Sequence, residues 1–287
     1  MRSLLIILLL LAVSSCSNND KPNIIWITCE DQSYYLFPFH GNSDVSLPNL
    51  EKIASESLVF ENMYATYPVC APARSSIITG MYPQSIGTHN MRAMHYDNYY
   101  KNGREMGDRN NSEKELEFPR YSSKLAESIK TFPEILRNNG YFTYNDSKGD
   151  YNYIISDSVW SAYNTRMKFF QDSSPFFAVF NFDITHERRM WERDKQELMV
   201  NPKNLTIPPI FPDDSIVRHS LAVNYSNLIE MDKQVGKLIG ELKRDGIYDD
   251  SYIFFYSDHG GPFPRHKRAI YETGTKVPFF VKFPKGK

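Results

Sequence analysis

The chain has 287 residues, 41% hydrophobic and 23% charged, a composition that fits a globular protein with one large domain or two small ones. The net charge of −1 excludes nucleic-acid binding through a broad basic field, so any bound anion must be held by local charges. Aromatic side chains, at 14%, suit a thick α/β core.

Residues 1–16 read as a signal peptide: Arg2 supplies the positive start, Leu4 to Val13 is unbroken apolar, and Ser14 and Ser15 precede Cys16. The apolar run is too short to span a bilayer as a helix. The stretch "VSSC" resembles a bacterial lipoprotein cleavage site, in which Cys16 is acylated and becomes the new N-terminus, with residues 17–22 as a polar tether. That places the protein in the periplasm or on the cell surface of a bacterium, anchored to the membrane by lipid; plain secretion is the alternative. Cys29 and Cys70 remain, able to pair in an exported protein but too few for a disulfide scaffold.

From residue 23 to 287 the pattern is that of one domain. Ile24 to Thr28 is a near-continuous β-branched run, as in a strand buried on both faces, and it ends in Glu30 and Asp31. A helix is expected over about Asn49 to Glu56. Cys70 precedes a second helix that starts just after it and is stopped by Gly80. The long polar stretch from Arg92 to Ser123 has little periodicity and reads as a wall of the pocket. Thr131 and Glu134 form a capping box, with Gly140 ending that helix and a strand following over Tyr141 to Tyr144. "PFFAVFNFDITH" is another buried strand, expected to end in His186. Leu228, Met231, Val235, Leu238, Ile239 and Leu242 share one helix face, and "YIFFYSDHGG" is a strand that runs into Asp258 and His259.

Strands alternating with helices predict an α/β fold: a mostly parallel sheet sandwiched by helices. In such sheets ligands lie beyond the carboxyl ends of the strands. Three of the expected strands finish in ionisable groups, at Glu30 and Asp31, at His186, and at Asp258 and His259. The acidic pairs suggest a hard divalent cation, although His259 suits zinc or manganese better than calcium. Cys70 at the mouth of a helix, with Arg74 one turn on, makes a place for a tetrahedral oxyanion. The residues alone leave three readings of Cys70 open: a structural thiol, a thiolate nucleophile, or a residue that is modified.

"CAPARSSIITG" resembles the signature of the formylglycine-dependent sulfatases, members of the alkaline-phosphatase-like superfamily. "NIIWITCEDQS" resembles that family's first metal-binding strand, "YSDHGG" its second, and "YETGTKVP" the loop after the metal site. Within the family, "CEDQS" and "SIGTHNMR" are most similar to the bacterial relatives of sulfamidase, N-sulfoglucosamine sulfohydrolase. The resemblance implies hydrolysis of a sulfate ester or sulfamate on a sulfated saccharide. It implies that a maturation enzyme oxidises Cys70 to formylglycine. One hydroxyl of the aldehyde hydrate attacks sulfur and the other expels sulfate. It also implies that Glu30, Asp31, Asp258 and His259, with residue 70, hold one calcium ion, magnesium being the alternative. By the same resemblance Arg74 orients the hydrate, Lys267 contacts sulfate, Lys148 is the lysine of the Lys-any-His element, His186 is the general acid, and His89 and Arg92 touch substrate.

The sequence departs from the family at several points. Residue 73 is Ala where Ser is frequent, residue 30 is Glu where Asp is usual, and Asp150 stands where the Lys-any-His element has its histidine. Sulfatases of this type are longer, so the C-terminal part of the fold is expected to be missing, leaving a sheet edge uncovered. Two other functions compete. A phosphomonoesterase or phosphodiesterase of the same superfamily would carry Thr or Ser as nucleophile and two zinc ions. A non-catalytic glycan-binding surface lipoprotein would need no change at Cys70.

Overall fold

The computed structural model describes residues 21–91, 123–153, 155–156, 158–163 and 175–287. Cys16, Arg92 and most of the expected pocket wall lie outside them. The described residues form a seven-stranded sheet in the order β2-β7-β6-β1-β5-β3-β4. The strands are β1 (Asn23–Cys29), β2 (Leu58–Val59), β3 (Phe142–Asn145), β4 (Ala162–Tyr163), β5 (Phe176–Phe182), β6 (Ser251–Ser257) and β7 (Phe279–Lys282). β6, β1, β5, β3 and β4 run parallel, while β7 joins β6, and β2 joins β7, through antiparallel pairings at one side. Both edge strands are two residues long, which leaves little ladder for another chain to pair with.

The helices are α1 (Pro48–Ser55), α2 (Cys70–Thr79), α3 (Phe132–Asn138), α4 (Glu187–Arg193), α5 (Ser215–Arg244) and the single turn α6 (Glu272–Thr275). The mostly parallel α/β architecture expected from the sequence is present. Ile25, Ile27, Ala178, Phe180, Ile253 and Phe255 face α1 and α5 and build the main core. The other face of β1 is only partly covered. Trp26 lies parallel to Phe132 of α3, with ring centroids 5.3 Å apart, and meets Phe177 edge-on at 4.9 Å. β1 is therefore not buried on both faces along its length: Ile24 and Trp26 are half-buried while Ile25 and Ile27 are sealed. No helix among the described residues is long and apolar enough to cross a membrane.

Local signals behave as their chemistry dictates, with shifts. Thr131 caps α3 by accepting from the Glu134 amide at 3.4 Å, but the Glu134 side chain turns to Lys130, 3.4 Å away, so only half of the capping box forms. α2 begins at Cys70 itself rather than after it, with Val69 at the cap, and Gly80 ends it at φ 68° with its amide donating to Ser76 O. The β5 strand stops at Phe182; a 3₁₀ turn over Asp183–Thr185 follows, and His186 is the N-cap of α4 instead of a strand end.

α1 has no side-chain cap of its own at Leu47. Asp232 of α5 supplies one from across the interface. Its Oδ1 accepts from Leu50 N at 2.8 Å, and its Oδ2 accepts from Asn49 Nδ2 at 2.8 Å and Asn49 N at 3.2 Å. One turn on, Gly236 has no room for a side chain, because a Cβ there would lie 2.4 Å from Asn49 Oδ1. Asp232→Ala leaves buried helix-terminal amides without acceptors. Its expected cost is about 1–3 kcal/mol, read as a lowered urea midpoint with an unchanged m-value.

Candidate active site

β1 and β6 pair in register and in parallel, Cys29 opposite Ser257, so the residues after them emerge side by side at the carboxyl edge of the sheet. Thus Glu30, Asp31, Asp258 and His259 meet although more than two hundred residues separate the two segments. All four are fully buried. Asp31 takes the left-handed region at φ 52°, which aims its carboxylate back over the strand ends. The turn is held by Asp31 N donating to Asp258 Oδ1 at 3.1 Å and by Gln32 N donating to Ser257 Oγ at 3.0 Å and His259 O at 3.1 Å. Lys148 (φ 52°) and Arg268 (φ 72°) are also left-handed, so unfavourable backbone gathers around this cleft, as at functional sites generally.

α2 brings Cys70 into the cluster. Its Sγ lies 3.1 Å from His259 Nε2 and 3.6 Å from Asp31 Oδ1. Cys29, which also ends β1, is a free, buried thiol, and so is Cys70, so the two are not paired. Burial pushes the Cys29 thiol far up, which keeps it inert at neutral pH. Arg74, one turn along α2, donates from Nε to Asp258 Oδ2 at 3.2 Å and from Nη1 to Asn181 Oδ1 at 2.7 Å. Lys148 pairs with Glu30 Oε2, and Lys267 with Asp31 Oδ2 at 2.6 Å. His186 Nε2 stands 3.9 Å from Glu30 Oε2.

Three buried carboxylates are thus matched by Arg74, Lys148 and Lys267. Burial alone would raise the Asp31 carboxyl, but His259 and Lys267 beside it hold it well below the usual range. Asp258 is held down in the same way by His259 and Arg74, against burial. Burial would lower His259, yet Asp258, Cys70 and Asp31 hold it well above an ordinary histidine. For Glu30 burial wins over the pull of Lys148 and Arg74, and its carboxyl is raised. Burial drives His186 down to about 4.

The donor set fits a divalent cation. Glu30, Asp31, Cys70 and His186 form one group of facing ligand atoms, and Asp31, Cys70, Asp258 and His259 another, each within 4.8 Å. Glu30 Oε1 is buried with no hydrogen-bond partner and only the Arg74 guanidinium near it, 3.7 Å away, so it has room to accept from a cation. The carboxylates suit a hard ion; the His259 imidazole suits a borderline one.

Eight of the expected residues, Glu30, Asp31, Cys70, Arg74, Lys148, Asp258, His259 and Lys267, therefore form one connected set of contacts, and His186 adjoins them. His89 takes no part in these contacts, and its Nδ1 is buried without a partner. Sequence reasoning missed three supporting groups. Asn181 holds the Arg74 fork and is tied in turn to Asn145 Oδ1 at 3.2 Å and Ser147 O at 2.6 Å. Glu187 donates its amide to Asp31 Oδ2 at 2.7 Å, and its carboxylate takes Lys267 at 3.3 Å and both Arg268 nitrogens. Gln32 exchanges two 3.0 Å hydrogen bonds with Asn224 of α5, bracing the Asp31 turn from behind. The signal available for Asn181 was a polar residue inside an apolar strand; nothing in the local pattern marked Glu187 or Asn224.

An α/β sheet carrying a buried carboxylate cluster and a cation-rimmed cysteine at its carboxyl edge has the donors to hold a divalent cation and the charges to receive an anion. The sulfatase family model matches residues 22–287, and the chain belongs to that family. It is 34% identical over 302 residues to an ulvan-active sulfatase of Formosa agariphila, covering 92% of this chain and 48% of that protein. It is 25% identical over 316 residues to the human N-sulphoglucosamine sulphohydrolase, covering 96% and 58%. The chain spans about half the length of the curated relatives it matches. The solved phosphonate monoester hydrolase of Agrobacterium radiobacter shares the fold at a TM-score of 0.60 with 15% identity, over 92% of this chain and 68% of that one. The fold by itself does not choose between sulfur and phosphorus.

The low His186 value has a measurable consequence. In the unfolded chain this histidine takes up its proton near its ordinary value of 6.5, in the folded chain only near 4, so between these the unfolded state binds more protons and stability falls as pH falls. The melting temperature of the metal-free protein is expected to drop across that window, and His186→Gln is expected to flatten that part of the slope.

Proposed function

We propose that the protein is a sulfatase that hydrolyses a sulfate ester or sulfamate on a sulfated saccharide. The observation that carries the reading is the placement of Cys70. It is the first residue of α2, its sulfur touches the carboxylate–histidine cluster, and the cations Arg74, Lys148 and Lys267 pair with that same cluster. The relatives support it, being sulfatases by name and acting, by name, on ulvan and on an N-sulphated glucosamine.

In this reading a maturation enzyme converts Cys70 to formylglycine, whose hydrate supplies one hydroxyl to attack sulfur and a second to release sulfate. Glu30, Asp31, Asp258 and His259 would hold calcium, or magnesium, which supplies Lewis-acid polarisation of the sulfate oxygens. The remaining work falls to the chain's own side chains. Arg74 is fixed by Asp258 and Asn181 before substrate arrives, so its charge needs no reorganisation. Lys148 and Lys267 pair with Glu30 and Asp31, carboxylates that would hold the dication, and with it bound both lysines would be available to sulfate oxygens. A dication and a sulfate group enter together with little change in the charge of the site, so desolvating them costs less than admitting either alone. His186 accepts the Arg188 amide at Nδ1, 3.2 Å away, which leaves the neutral ring's proton on Nε2, the nitrogen nearer Glu30. That N–H is the donor for the departing oxygen or nitrogen.

The test is turnover of defined sulfated and phosphorylated saccharides by the protein produced with a maturation enzyme. Sulfate release is expected; phosphate release exceeding it would make the protein a phosphoesterase, and neither would leave a glycan-binding protein. The peptide containing Cys70 should carry an aldehyde that reacts with hydrazines. Cys70→Ala should abolish turnover with an unchanged near-UV circular dichroism spectrum. An alkylatable Cys70 thiol in fully active enzyme would defeat the mechanism.

We also propose that Cys16 is acylated and anchors the protein to a bacterial membrane facing the periplasm or the exterior. Fatty-acid labelling in cells should mark the wild-type chain and not Cys16→Ala; equal labelling of both would remove the claim.

A further inference from the structure

His259 Nδ1 lies 2.9 Å from Gly260 O, and a carbonyl oxygen only accepts, so Nδ1 carries a proton and donates it there. With Nδ1 so engaged, Nε2 is the nitrogen a metal can take once it displaces the Nε2 proton, fixed in direction by that contact as in metal-bound histidines generally. What it faces is another pair of electron donors. Cys70 Sγ is 3.1 Å away and Asp31 Oδ1 3.0 Å away, while Sγ and Oδ1 are 3.6 Å apart. Asp31 Oδ2 is taken by Lys267 and the Glu187 amide, which leaves Oδ1 turned to this triangle. Asp258 adds a fourth ligand atom within 4.8 Å of the others, and all four side chains are fully buried.

The triangle has the dimensions of one face of a zinc tetrahedron. With zinc about 2.3 Å from sulfur and about 2.05 Å from nitrogen or oxygen, tetrahedral angles require S···N and S···O near ~3.5 Å and N···O near ~3.3 Å. The observed edges differ from these by no more than about 0.4 Å, within small side-chain adjustments. The donor types agree: one thiolate, one imidazole and two carboxylates form a borderline set that prefers zinc to calcium, whereas replacing sulfur by oxygen moves the set toward hard ions. Glu30 Oε1, in the overlapping group of ligands, is buried with no hydrogen-bond partner and has only Arg74 Nη2 near it, 3.7 Å away.

We propose that the chain carrying Cys70 as a thiol is a zinc protein, with Cys70 Sγ, His259 Nε2, Asp31 Oδ1 and an Asp258 oxygen as ligands, and that loss of the sulfur is what turns the site toward a hard dication. The identity of residue 70 therefore sets the metal. Zinc held in this way engages the sulfur, so the unconverted protein offers no free thiol as well as lacking the hydrate nucleophile. The zinc assignment rests on the metal-site part of the sulfatase reading and not on its substrate; only the switch to a hard dication rests on the conversion of Cys70.

The test uses the full chain made without maturation activity and stripped of metal. Cobalt(II), a spectroscopic stand-in for zinc, is expected to give a near-ultraviolet sulfur-to-cobalt charge-transfer band in the wild-type chain and in Cys29→Ser, and none in Cys70→Ser. Competition with a chromophoric chelator is expected to show zinc affinity lower by about 100-fold or more in Cys70→Ser, at least the upper end of what loss of an outer-shell partner costs a metal site. Calcium affinity should change little. Absence of the band in the wild-type chain overturns the proposal even if Cys70→Ser fails to fold, and so does a band that survives Cys70→Ser or zinc affinity equal in the two. A thiol form that binds calcium without the cobalt–sulfur band sinks this inference alone, while the sulfatase reading fails separately, on the absence of turnover by the converted enzyme.

Discussion

Three carboxylates, Glu30, Asp31 and Asp258, sit fully buried at the carboxyl edge of the sheet, and the surrounding structure is arranged to make that tolerable. An isolated buried charge costs several kcal/mol, so each must be met by a cation in good geometry. Arg74, Lys148 and Lys267 meet them, and each comes from a different part of the chain: the first helix turn after the cysteine, the loop after β3 and the loop after β6. The site is therefore a condition on the whole fold. Move any one of these elements and a carboxylate is left unpaired in the interior.

The energy to hold this cluster comes from elsewhere. Ile25, Ile27, Phe180, Ile253 and Phe255 on one sheet face, sealed by α1 and α5, supply the apolar burial. α5 does two jobs along its thirty residues. Near its middle Asp232 clasps α1, and two turns earlier Asn224 braces the turn at Gln32 directly behind Asp31. Core and site are linked through one rigid helix, so the left-handed Asp31 is held between the strand ends and a packed element rather than on a free loop.

The same crowding shapes the chemistry. Positive and negative groups in contact make a site that is near neutral yet strongly polar. It also explains why Cys70 is not an ordinary thiol in its surroundings. Its sulfur faces a histidine nitrogen and a carboxylate oxygen, which leaves a lone nucleophile crowded.

Much was legible in the sequence because the signals were local. The β-branched run at Ile24 to Thr28, the apolar stripe from Leu228 to Leu242 and the stop at Gly80 follow from periodicity and glycine geometry, and they give the α/β fold and its strand ends. "CAPAR", "CEDQS" and "SDHGG" marked most of the cluster. What the sequence could not supply was anything set by register or by long-range contact. That β1 and β6 are neighbours, and in register, decides that Asp31 and His259 touch. That β5 ends at Phe182 decides that His186 caps α4 rather than closing a strand. Asn181, Glu187 and Asn224 act through partners far away in the chain, and no pattern at their own positions announces them. The residue types fixed what chemistry was available; the parallel pairing of two distant strands decided which of those residues share one buried volume, because only there do their charges become each other's counterions.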